Sequence, residues 1–146
     1  VVTFDELDHH AMEQLVFESD EISLLLRGHI FIEKILETLI SDNLKNPEAL
    51  FSKNRSFDLK VNLAKAMALI DEKYNSAFKA LNNIRNNYAH GPSYKVTFKE
   101  LSGLKFDWTA EQDQAYTAAC TKGVEEAAKI AMIFLCWKAI LLVRSP

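Results

Sequence analysis

A chain of 146 residues with 49% apolar and 25% charged side chains has the make-up of ordinary folded protein, which excludes a disordered or low-complexity segment and suits one sizeable core better than two. Four glycines and three prolines are too few for the many tight turns of an all-β fold. A formal net charge of −3 excludes a surface built for broad electrostatic contact with nucleic acid, so any such contact must be local.

Phe4, Leu7, Ala11, Leu15 and Val16 recur at near-helical spacing and predict a short first helix over residues 4–17. Ser19 or Asp20 would cap a long second helix over residues 22–44, because a short side-chain oxygen satisfies the free amides of a first turn. Its Ile22, Leu25, Leu26, Ile30, Leu36 and Ile40 keep the helical period, with Arg27, His29 and Glu33 among them. Residues 43–54, NLKNPEALFSKN, hold Pro47 and three asparagines and are expected to be a connector with one turn starting at Pro47. Ser56 would cap a third helix over residues 57–70, and residues 71–75 read either as a turn or as the start of the next helix.

A fourth helix is predicted over residues 74–89, ended by Gly91-Pro92 through a left-handed glycine and a proline that cannot continue the ladder. Residues 93–108 are the least regular, with a short turn near residues 98–104, and Tyr94, Phe98, Phe106 and Trp108 anchor them to the bundle. Thr109 and Gln112 have the spacing of a capping box and would open one continuous last helix reaching Val143. Residues 130–143 (IAMIFLCWKAILLV) are interrupted by Lys138 and fall short of the roughly 20 residues of a membrane span, so a buried central helix is expected and no membrane partner.

On a continuous last helix Cys120 and Cys136 would lie ~24 Å apart, beyond the disulfide reach of about 7 Å. Two unpaired thiols and no basic-then-apolar leader point to a reducing cytoplasm. The expected fold is a single all-α domain over residues 1–146, an antiparallel bundle of four to five helices with the last near its centre.

The fourth helix carries the most information. At ~100° per residue, Tyr74, Ala77, Leu81, Ile84 and Tyr88 fall within about 80° of one another and form the core stripe. The opposite side, spanning about 140°, collects Asn82, Arg85, Asn86, Ala89 and His90, with Phe78 at its edge. Every amphipathic helix needs a polar face, and such residues are ordinary there. Five asparagines on one helix (75, 82, 83, 86 and 87) are nonetheless poor choices for helix stability and suggest another constraint.

The string ALNNIRNNYAHG at the end of this helix, with SFDLKVNLAKAMALI and LLLRGHIFIEKILETLI before it, resembles the HEPN superfamily. The family's signature is an arginine followed by a polar residue and, a few positions on, a histidine near a helix end, matched here by Arg85, Asn86 and His90. The order of the segments looks most like the mannitol operon repressor family, and the resemblance covers roughly residues 24–90 plus the apolar last helix. It implies a helical homodimer that needs no metal and no cofactor. In active members it implies an endoribonuclease whose arginines and histidines meet across two protomers.

That chemistry asks for a proton donor, a proton acceptor and a cation at the phosphorane. The resemblance gives proton transfer to His90, the phosphate to Arg85 and its orientation to Asn86. A single histidine does not easily serve as both acid and base, which favours two copies. Asn82, Glu33 and Tyr94 are expected to assist in binding. His29 and Glu33, four apart, would form a buried hydrogen bond, or Glu33 would reach Arg85; a metal site would need more ligands.

Partnered HEPN toxins often carry a tyrosine two positions after the histidine. Here Pro92 stands there and Tyr94 is the nearest tyrosine, so regulation by tyrosine modification is not expected. Two functions follow: a non-catalytic regulatory or interaction module of mannitol-operon-repressor-like type, and, as the alternative, a metal-independent endoribonuclease acting as toxin or defence effector. The partner is accordingly a protein or RNA. No glycine-rich phosphate loop, zinc-spaced cysteine pair or nucleophile elbow supports other chemistry.

Overall fold

The computed structural model describes residues 21–91 and 93–144, and among them every regular element is helical: α1 (Glu21–Asp42), α2 (Glu48–Phe51), α3 (Phe57–Ala66), α4 (Glu72–His90), α5 (Phe98–Ser102), α6 (Ala110–Cys120) and α7 (Val124–Arg144). The expected helix over residues 4–17 and its neighbouring cap at Ser19 or Asp20 lie outside the described residues. The all-α class is as the periodicity requires. No helix among the described residues is long and apolar enough to cross a membrane.

The core is a single cluster of buried side chains drawn from α1, α3, α4 and α7, closed at one end by Val96, Leu101 and Leu104 from the segment around α5. α7 supplies Ala127, Ala128, Ala131, Met132, Leu135, Cys136, Ala139 and Ile140, half of them alanines, along its buried face. The absence of a side chain at Gly28 lets α1 approach α7 closely. A Cβ added there would stand 2.2 Å from Met132 Cε and 3.5 Å from Cys136 Sγ. Tyr74 at the start of α4 donates its hydroxyl to the Lys138 carbonyl of α7 at 2.9 Å.

α3 stops at Ala66 rather than Ile70. The Ala68 amide bonds Lys65 O at 3.0 Å and the Leu69 amide bonds Ala64 O at 2.9 Å, the two reversed bonds of a Schellman ending, with Ala68 at φ +58° where glycine is usual. Asp71 then caps α4 by accepting from the Tyr74 amide at 3.1 Å, which makes residues 71–75 a helix start. α4 runs antiparallel to α3, since Lys65 pairs with Glu72 and Lys79 with Asp58. α4 leaves its axis at Gly91 in an extended conformation (φ −138°, ψ 102°), not the left-handed exit expected of a glycine, because the residue before a proline is pushed out of helical space.

Both Thr109 and Gln112 form the expected capping box, and Thr97 with Glu100 forms another that opens α5. The last helix is not continuous. Thr121 turns its hydroxyl back onto Ala118 O at 2.6 Å, and Gly123 takes φ +129°, a conformation that breaks the ladder and separates α6 from α7. The two helices fold back on one another, with Trp108 before α6 resting edge-on against Phe134 of α7 at 5.3 Å between ring centroids. The expectation that Cys120 and Cys136 share one helix therefore fails, although both are free thiols.

Candidate functional site

α1, α3 and α4 leave an open cleft of about 560 Å³ between them. The volume falls within the range typical of small-ligand sites. Leu26, His29, Ile30 and Glu33 from α1 and Asn82, Arg85 and Asn86 from α4 recur at intervals of three and four, so each set stands on one helix face and the two faces meet. The third wall is the beginning of α3, Phe57 and Asp58, together with Arg55 and Ser56 just before it. Ser56 accepts the Leu59 amide at 3.0 Å and fixes where that helix starts.

His29 is the most enclosed polar group of the cleft, 6% exposed. Its ring stacks on Phe57 with centroids 4.0 Å apart, and its Nε2 lies 3.0 Å from Asn82 Oδ1. An amide oxygen accepts only, so Nε2 carries the proton and donates. Burial pushes the imidazole below its ordinary value of 6.5, with the Asn82 bond and the Glu33 charge offsetting part of the effect, and Arg85 and Lys60 lowering it further. His29 is therefore neutral at pH 7.

The hydrogen bond expected between His29 and Glu33 is replaced by two others. His29 turns to Asn82, and Glu33 accepts Lys60 Nζ at 3.0 Å, which also bonds Glu37. Lys60 is only 4% exposed. Burial alone would lower its pKa, but the hydrogen bonds it donates to Glu37 and Glu33 outweigh it and hold the ammonium above its usual range. Glu33 is thus spent on Lys60 rather than on Arg85.

Arg85 is exposed and its Nη1 donates to Asn86 Oδ1 at 3.3 Å; Arg55 donates Nε to the Leu50 carbonyl at 2.8 Å. Among the described residues neither guanidinium has a carboxylate within 4.0 Å. Both carboxylates of the cleft, by contrast, have a lysine: Glu33 has Lys60, and Asp58 has Lys79 at 3.5 Å.

His90 ends α4 as an exposed residue and is not part of the cleft wall that holds Arg85, Asn86, Asn82 and Glu33. Tyr94 belongs to another cluster. Its hydroxyl donates to Glu100, which also receives Asn87 Nδ2 at 3.3 Å, and its ring meets Tyr88 edge-on at 4.7 Å. Burial and then the Glu100 bond push the Tyr94 hydroxyl pKa up. That cluster fastens the chain after α4 and leaves Tyr94 committed within it.

One cleft residue, Arg55, is not signalled by the sequence pattern, and another has a different partner from the one expected. Arg55 falls between the connector of residues 43–54 and the Ser56 cap, and only that place beside a helix start signals it; His29, expected to bond Glu33, bonds Asn82 instead. Among the described residues no three histidine, cysteine, aspartate or glutamate side chains are grouped to hold a metal ion.

The fold and cleft define an all-α helical bundle with a polar, arginine-bearing recess on one side. The chain matches no protein-family model, no curated protein and no solved structure.

Proposed function

We propose that the chain is a HEPN-like module, of mannitol-operon-repressor-like regulatory type, that dimerises and works by binding a partner at the cleft of α1, α3 and α4 rather than by catalysis. The observation that carries this reading is the separation of the motif. Arg85 and Asn86 line the cleft, whereas His90 is exposed and outside its wall. Proton transfer needs the acid or base within hydrogen-bonding reach of the reacting group. The imidazole that does share the cleft, His29, is stacked, hydrogen-bonded and neutral, which suits recognition.

The alternative, a metal-independent endoribonuclease built across a homodimer, draws on one feature: Arg85 and His90 are both exposed on α4 and accessible to a second copy. Incubating purified protein with mixed RNA in EDTA, beside the Arg85→Ala/His90→Ala double variant, separates the two. Equal RNA survival in both samples supports the binding module. Cleavage by the parent that the double variant loses supports the enzyme and removes the proposal. Analytical ultracentrifugation of the same samples tests the dimer.

A further inference from the structure

The cleft's side-chain oxygens are largely taken and its donors are not. Asn82 Oδ1 is used by His29 and Asn86 Oδ1 by Arg85, while the carboxylates of Glu33 and Asp58 are held by lysines. Offered to a ligand are the remaining N–H groups of Arg55 and Arg85 and the amide nitrogens of Asn82 and Asn86, for which no protein acceptor is found among the described residues. Counting every charge tied into the site, four cations (Arg55, Arg85, Lys60, Lys79) face three anions (Glu33, Glu37, Asp58). A surplus of one charge fits an isolated anionic group, not a polyanion, and the whole chain is itself acidic. Beside these donors Leu26 and Ile30 are 39% and 51% exposed, an aliphatic pair one helical turn apart at the same recess.

From this complementarity we propose that the cleft binds an acidic peptide segment of a protein partner. A carboxylate enters the forks of Arg55 and Arg85, the Asn82 and Asn86 amides bond peptide carbonyls, and the neighbouring aliphatic side chain rests on Leu26 and Ile30. The inference rests on the binding-module reading above and assigns the chemistry of its partner. Arginine suits the task because its planar donors meet both carboxylate oxygens at once.

The probe is an acetylated, amidated Leu-Glu-Ile-Asp peptide titrated into the full 15N-labelled chain, followed by NMR. Saturable shifts at the Arg55 and Arg85 Nε–H signals and at the amides of residues 26–30 are expected. The Leu-Gln-Ile-Asn analogue should bind about tenfold more weakly or worse. Arg85→Lys, which keeps the charge and loses the fork, and the surface double variant Leu26→Ser/Ile30→Ser should each weaken the acidic peptide. The latter leaves both guanidiniums and the bond from Arg55 Nε to the Leu50 carbonyl untouched, so it tests the aliphatic contact by itself.

Equal affinity for the neutral analogue, or unchanged affinity in the Leu26→Ser/Ile30→Ser variant, would overturn the proposal. So would a uridine octamer that shifts the same signals while the peptide does not. RNA cleavage measured on the same samples keeps the two readings apart. A silent peptide with intact RNA removes only this inference, whereas Arg85- and His90-dependent cleavage removes the module reading itself.

Discussion

His29 Nε2 and Asn82 Oδ1, 53 positions apart in the chain, lie 3.0 Å from one another and tie α1 to α4 at the floor of the cleft. Removing the acceptor leaves a nearly buried ring N–H without a partner, a loss of about 1–3 kcal/mol. Asn82→Ala should therefore lower the unfolding free energy measured in urea by that amount, while Asn83→Ala, an exposed neighbour on the same helix, should change it little. Equal effects of the two would contradict the assigned bond.

The same imidazole makes stability depend on pH. Its folded-state pKa lies below the unfolded value of 6.5, so the unfolded chain binds more protons in the interval between them. The His29 contribution is complete above pH 6.5 and declines as the pH falls through the folded pKa. His29→Gln should flatten that part of the stability profile between pH 7 and 5, a difference readable by denaturant titration at each pH.

Lys60 is covered by protein while its carboxylate partners remain partly open to water, Glu33 at 29% and Glu37 at 42% side-chain exposure. That setting makes the cluster worth less than a fully buried one. Lys60→Ala should cost about 2 kcal/mol, and Lys60→Met, which preserves the packed stem, should cost less. Thermal unfolding of both variants checks the order, and a Met variant as damaged as the Ala variant would place the stabilisation in charge alone.

Two helix ends give predictions of opposite sign. Ala68 occupies the left-handed position of the Schellman ending at φ +58°, so Ala68→Gly should stabilise the protein by about 1 kcal/mol. Gly123 sits at φ +129°, where a side chain is strained, and Gly123→Ala should destabilise it by at least about 1 kcal/mol. Calorimetry of the pair tests both turns.

The helices of this bundle were largely legible because apolar residues at helical spacing and the caps at Ser56, Thr109 and Gln112 are local signals. The break at Gly123 was not, since an isolated glycine inside a periodic run is compatible with an uninterrupted helix. Residues 82, 85 and 86 were recognised as one face from their spacing alone. The wheel also placed Phe78 at the edge of the polar side, whereas it is fully buried, because α4 is covered by more than one neighbour. What joins Arg55, His29 and Arg85 is the packing of three helices, and no local pattern records which turn of one helix faces which turn of another.

His29 is the imidazole that shares the cleft with Arg85, and NMR titration of its ring signals in the parent and in Arg85→Ala tests that placement most directly. The charge of Arg85 lowers the His29 pKa, so the His29 midpoint should lie below 6.5 in the parent and rise in the variant. A His29 midpoint at or above 6.5 in the parent, or one that does not move when Arg85 is lost, would contradict it.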